Sequence, residues 1–287
     1  MLPQTIPASR PSDPFTASAR WQREAIAQRH AEASAYLEDV FATPALRDIA
    51  AHTLALLALT PGEAVLEVGC GTGVFLPLLA RAVGPAGRVV GLDLAPTFVA
   101  AARARIAAQG CAGAVTVEEG DAYRLPFPDA SFDAAHCERV LMHLDDPTAV
   151  LREMRRVVRP GGRVLAVEPD WAGCRLDHPD GAALDLLRAR SLGQRQPDAG
   201  LTLYRRLADA GLIGREVVPH PVPLTDLATL RLYGFTLQPG AAALVAEGQL
   251  TRERAETALA YLDEASAAGT FFACVTAFIG LGRVPAP

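Results

Sequence analysis

Val65-Leu-Glu-Val-Gly69-Cys-Gly71-Thr-Gly73 decides the fold. A short apolar run ends in three glycines at alternate positions, and a helical period takes over at Val74. Strand, glycine turn and helix in that order let the backbone pass close under a ligand and swing sharply into the helix. The spacing is G-x-G-x-G, with Glu67 two residues upstream of Gly69. A dinucleotide fingerprint, G-x-G-x-x-G, would need its third glycine where Val74 stands, so a nicotinamide site fits imperfectly. A tight turn of packing value alone is the plain alternative.

Outward from this turn the period keeps alternating. Strands are expected at 64–70, 88–94, 115–120, 132–137 and 162–168, with helices at 74–83, 96–109 and 149–158 between them. Such alternation implies right-handed β-α-β units and a mainly parallel sheet. Two helices, 17–41 and 44–59, precede it. Beyond Asp170 come helices at 181–190 and 201–210, a strand at 216–224, helices at 227–246 and 251–268, and a last strand at 270–280. The domain reading is a mobile segment 1–16, a helical lid 17–60, and a main domain 61–287 carrying a helical insert at about 227–268.

Several acidic residues fall where an open parallel sheet binds ligands, at the carboxyl ends of neighbouring strands. Asp93 ends the second strand, 20 residues after Gly73, where a carboxylate can accept two hydrogen bonds from a ribose diol. Asp121 in Gly120-Asp-Ala122 follows the third strand, placed to meet an adenine amino group.

Composition removes other chemistries. The combined Lys+Arg count of 27 is all arginine, and asparagine is absent too, a bias that a GC-rich coding sequence explains. No Schiff-base lysine, pyridoxal-phosphate anchor or P-loop lysine is available. A net charge of -5 disfavours broad capture of nucleic acid or anionic membrane, leaving a small-molecule substrate. The five cysteines are scattered with no C-x-x-C pair, so neither disulfides nor a metal site is indicated and a cytoplasmic location is the default. Residues 1–15 carry four prolines and no apolar core of a secretion signal, and 271–282 is too short to span a bilayer.

The stretches VLEVGCGTG, VVGLDL, EEGDAYRLPFPDASFDAAHCERVLMHL and EMRRVVRPGGRVLAVEPD, covering about residues 64–170, resemble the class I S-adenosylmethionine-dependent methyltransferases. The small-molecule branch, similar to ubiquinone and menaquinone biosynthesis methyltransferases, is the nearest in pattern. The resemblance implies an α/β, Rossmann-like seven-stranded sheet of order 3-2-1-4-5-7-6 with strand seven antiparallel. By position, Glu67, Gly69, Gly71 and Gly73 would surround the methionine part of S-adenosylmethionine. Asp93 with Leu94 would hold the ribose, Asp121 and Ala122 the adenine, and Cys137 would face the methionine moiety. The product would be S-adenosylhomocysteine.

Methyl transfer from a sulfonium needs alignment and exclusion of water, and a base only for a poor nucleophile. His143, after the fourth strand, is the candidate base; Arg139, Asp170 and Trp171 are candidates to line the substrate pocket with it. Capping the next helix is the plain alternative for His143. Glu138 and Arg139 read as an ion pair shaping the pocket, His136 as packing, and His178 and His220 as weaker candidates. Arg152, Arg155, Arg156 and Arg159 read as the solvated face of a helix rather than a basic patch. Trp21, Tyr36, Phe41, Tyr204, Tyr233, Phe235, Phe271 and Phe272 would form a lid and apolar cavity, or plain core. The expected activity is methylation at O, N or C of a small apolar or aromatic metabolite; a homodimer is compatible. Two rivals stay open: a cofactor-binding protein of this fold without methyl transfer, as partner subunit or cyclase, and a nicotinamide-dependent oxidoreductase.

Overall fold

The computed structural model describes residues 37–286 apart from 234 and 236. The expected segment 1–16, with Trp21, Tyr36 and most of the first helix, lies outside the described residues. Seven strands form one sheet: β1 Ala64–Val68, β2 Arg88–Asp93, β3 Val115–Glu119, β4 Phe132–Glu138, β5 Val158–Leu176, β6 Ile213–Leu224 and β7 Ala273–Arg283. Their order is β3-β2-β1-β4-β5-β7-β6. Strands β1 to β5 run parallel, whereas β7 is antiparallel to both β5 and β6. The central strands are near-continuous apolar runs because helices cover both faces.

Helices α1 (Pro44–Leu57), α2 (Leu76–Val83) and α3 (Pro96–Ala108) pack on one face. In α1 the buried residues Leu46, Ile49, Ala50, Thr53 and Leu57 recur at helical spacing, and Pro44 sits in the first turn, where its missing N–H costs nothing. Helix α4 (Pro147–Val157) buries Val150, Leu151, Met154 and Val157 on the other face, joined there by α6 (Leu203–Asp209). Asp146 caps α4 by accepting from the Ala149 N–H at 3.0 Å.

The outward arginines of α4 are engaged rather than merely solvated. Arg156 pairs with Glu153 and Asp129 and donates to the carbonyls of Leu125 and Phe127, fixing the turn before β4. Arg152 and Arg155 reach the carbonyls of Asp209 and Ala210, and Arg159, which falls in β5 rather than on the helix, pairs with Asp133.

After the sheet, β5 continues through a register shift between Asp170 and Arg175 and stays paired with β7 to Leu176. That extension carries the helices α5 (Gly181–Ser191), α7 (Leu227–Leu232), α8 (Gln238–Ala246) and α9 (Arg252–Ala267). The single helix expected at 227–246 is two. Helix α7 ends at Leu232 and α8 restarts at Gln238, with Pro239 in its first turn: the proline can open a helix but cannot continue one. Among the expected aromatic residues, Tyr233, Phe235 and Phe271 are buried, whereas Tyr204 and Phe272 are exposed. No helix among the described residues is long and apolar enough to cross a membrane.

Candidate active site

Three short segments meet at the carboxyl ends of β1, β2 and β4. Beyond β1 the chain turns through Gly69 (φ 71°), Gly71 (φ 52°) and Gly73 (φ 72°), all in the left-handed region that L side chains avoid. The requirement is also steric. A Cβ on Gly69 would lie 2.4 Å from Val140 Cγ2, and one on Gly73 would lie 2.9 Å from Ala102 Cβ. The amides of Gly69 and Cys70 both donate to the Leu92 carbonyl, at 2.7 and 3.0 Å, tying the turn to β2.

Asp93 completes that tie. One carboxylate oxygen accepts from the Gly71 N–H at 2.8 Å and the other from the Ala95 N–H at 2.9 Å. A carboxylate has about four lone-pair sites, more than these two amides occupy. Burial raises its pKa, against the three backbone hydrogen bonds that lower it. Leu94 follows directly, and Asp121 bonds the Tyr123 N–H at 2.9 Å while Ala122 packs against the core.

Glu67 is 4% exposed, and its Oε2 has no partner among the described residues. Burial first, then the nearby Glu138 and Asp93, push its pKa well above the ordinary carboxylate range. Glu138 Oε1, likewise unpartnered by hydrogen bonds, lies 3.6 Å from Arg139 Nε. Glu67, buried with one open oxygen, is costly to ionise unless a cation arrives.

His136 sits in β4 against Phe75, ring centroids 4.8 Å apart, and 3.8 Å from Glu67. Burial lowers its pKa to about 3, so it is a neutral packing residue. Cys137 is wholly buried in the apolar cluster that includes Leu66, Leu141 and Met154, and burial pushes its thiol up. His178 is structural too, accepting from the Asp180 N–H at 2.9 Å. His220 meets His52 of α1, Nδ1 to Nδ1 3.3 Å, on the far edge strand. No metal-binding group of three ligands occurs among the described residues.

Past β4 the chain makes a tight turn, Arg139 (φ 55°) leading into the single 3₁₀ turn Leu141–His143. His143 is held neutral, its pKa lowered to about 4 by burial and then by the Arg139 guanidinium. Asp170 accepts from the Gly173 N–H at 3.1 Å. Trp171 stacks on Phe235 with centroids 5.7 Å apart and planes at 17°, and Tyr233 lies 6.4 Å from it. Residues 192–202 join these parts: Gln196 N–H donates to the Met142 carbonyl at 3.0 Å, and Ala172 N–H to the Pro197 carbonyl at 3.0 Å. Sequence reasoning missed Glu168 and Gln196, both bonded to this turn.

Comparison with known proteins identifies the class. Residues 66–166 match the family described as Methyltransferase domain. The chain belongs to the class I S-adenosylmethionine-dependent methyltransferases, and S-adenosylmethionine is its cofactor. Its relatives include a Streptomyces fradiae protein, described as an uncharacterized 37.1 kDa protein in transposon TN4556. That protein is 38% identical over 251 residues, 85% of this chain and 69% of the other. The demethylmenaquinone methyltransferase of Bacillus cytotoxicus is 39% identical over 117 residues, 41% of this chain and 49% of that enzyme; the chain thus spans about half the length of this relative. A putative methyltransferase from Bacillus halodurans shares the fold, with TM-score 0.60, 20% identity, and coverage of 83% of this chain and 99% of that one.

The site fits this cofactor. An ammonium or a sulfonium is the cation that the open Glu67 Oε2 calls for, and the glycine turn lies directly after β1, which carries Glu67.

Proposed function

We propose that the protein transfers a methyl group to O, N or C of a small, apolar or aromatic metabolite. Bound S-adenosylmethionine supplies the activated methyl. Glu67 and the 69–73 turn hold its methionine end, Asp93 and Leu94 the ribose, and Asp121 with Ala122 the adenine. The observation that carries the acceptor class is the aromatic group of Trp171, Phe235 and Tyr233, set directly after Asp170 and linked through residues 192–202 to the turn bearing His143. The three rings are buried in the described structure, and an acceptor that packs against them would be flat and apolar.

His143 enters as a neutral imidazole. With a pKa of about 4 it is too weakly basic to hold a phenol's proton outright, so it accepts a hydrogen bond from the nucleophile and orients it as charge develops. Proximity and alignment supply most of the acceleration, about 7 to 11 kcal/mol for a well-oriented pair. The engaged arginines of α4 and the net charge of -5 favour a small acceptor over nucleic acid, and five unpaired cysteines suit a cytoplasmic location.

The test is incubation with methyl-labelled S-adenosylmethionine and a panel of hydroquinones, phenols, aromatic amines and polar amines. Label on aromatic acceptors is expected. Label on polar amines alone would overturn the acceptor class. Binding of S-adenosylhomocysteine with no label on any acceptor would favour a cofactor-binding protein that does not transfer methyl.

A further inference from the structure

The buried carboxylate of Glu168 has no place in cofactor binding, yet three backbone amides donate to it. It is 0% exposed in the middle of β5. Its Oε1 accepts from the Val140 N–H at 2.9 Å and the Leu141 N–H at 2.6 Å, and its Oε2 from the Met142 N–H at 3.3 Å. Three consecutive amides of the turn after β4 therefore converge on one side chain. Such a convergence favours an ionised acceptor.

The same turn is held from its carbonyl side. Gln196 donates through its backbone to the Met142 carbonyl and through Nε2 to the carbonyls of Leu144 and Asp145, both at 3.4 Å. Arg206 fixes Gln196 by donating to its Oε1 at 2.6 Å, and is itself braced on Thr202 Oγ1 at 2.8 Å. Gly200 seats this loop on β5: a Cβ there would lie 2.5 Å from the Glu168 carbonyl. What the turn presents on its other side is Val140, in the space that a Cβ on Gly69 would need.

We propose that Glu168, with Gln196 opposite it, is a positioning residue: its carboxylate fixes the Val140–Met142 backbone so that Val140 supports the cofactor's glycine turn and His143 stays aligned beside it. The inference rests on the methyl-transfer reading for its purpose, though not for its geometry. Burial raises the Glu168 pKa to about 7 against the three amides and Arg139. The groups that face it are Arg139 on the turn, Cys137 on β4 and Arg206 on α6, while its β7 partner Phe278 is uncharged. Above pH 7 it is ionised and accepts with both oxygens; below pH 7 a proton occupies one of them and the turn loosens.

The probe is S-adenosylhomocysteine, measured by calorimetry at pH 8 and pH 6 on the whole chain and on Glu168→Gln, with urea unfolding alongside. The parent is expected to lose about tenfold in affinity from pH 8 to pH 6, the effect of losing one charge-assisted hydrogen bond. Glu168→Gln is expected to bind weakly at both pH values with little difference between them. A pH response that survives unchanged in Glu168→Gln belongs to Glu67, Asp93 or Glu138 and overturns the proposal. So does full affinity at pH 8. A merely structural role would move the urea midpoint and leave the pH response intact. If Glu168→Gln does not fold, Gln196→Ala is read instead: weaker binding at pH 8 with the pH response kept supports the proposal, and unchanged binding overturns it. Failure of the parent to bind S-adenosylhomocysteine at all would refute the cofactor site itself, a separate result.

Discussion

Replacing Asp93 with alanine separates two jobs that one carboxylate performs. The first is structural. Its oxygens receive the amides of Gly71 and Ala95 at 2.8 and 2.9 Å, both part-buried. Leaving a buried donor unpaired costs about 1 to 3 kcal/mol, so two of them cost about 2 to 6 kcal/mol of stability. The second is the proposed grip on the ribose diol by the remaining lone pairs. Two hydrogen bonds to a charged acceptor contribute about 1.5 to 3 kcal/mol each, so their loss weakens binding about 10²- to 10⁴-fold. Urea unfolding reads the first job, and calorimetry with S-adenosylhomocysteine on the folded variant reads the second. Asp93→Asn is the control, since its amide oxygen can keep one backbone partner while the charge is gone. If folded Asp93→Ala binds S-adenosylhomocysteine within threefold of the parent, the assignment of the ribose site fails.

Gly69→Ala meets both a clash with Val140 and a left-handed backbone, and should cost about 2 to 4 kcal/mol in urea unfolding; a loss below 0.5 kcal/mol would show that Val140 is free to move. His136 has a folded pKa of about 3, below its ordinary 6.5. Its contribution to stability is present above pH 6.5 and lost as pH falls toward 3, about 2 kcal/mol by pH 5. His136→Leu should therefore gain about that much on the parent between pH 7.5 and pH 5, and a difference that does not change with pH would contradict the assignment. His143→Gln should lower kcat about 10²-fold with S-adenosylhomocysteine affinity unchanged. Equal loss in both would make the imidazole a support for the cofactor instead.

The β-α-β alternation was legible because period and punctuation changed together: apolar runs of strand length at 64–70, 88–94, 115–120 and 132–137 were each followed by a turn, whereas the strand order came from the resemblance to the methyltransferases. The break at 233–237 was not, because Leu230, Tyr233, Phe235 and Leu237 are buried on either side of it and read as one apolar helix. The extension of β5 past Asp170 escaped for a related reason. Pro169 and Gly173 look like the end of a strand, yet an edge with a register shift accommodates both. Glu168 and Gln196 were invisible as site residues because their partners are backbone amides and carbonyls 26 to 28 and 51 to 52 positions away. Long-range contacts to backbone leave no pattern in side-chain spacing.

The lysine-free composition bears on how this site responds to pH. Glu67, Asp93 and Glu138 are buried with raised pKa values, and the fixed cation that meets Glu138, His143 and Glu168 is the Arg139 guanidinium. A guanidinium does not titrate in the accessible range, so the positive charge at the turn stays constant while the acids around it change. A lysine there could give up its proton to a buried neighbour and blunt the response. With arginine that charge is fixed, and near pH 7 the acid beside it whose pKa lies in range is Glu168. The change in S-adenosylhomocysteine affinity between pH 8 and pH 6 should therefore disappear in Glu168→Gln and persist in Glu138→Gln, with Arg139 charged throughout.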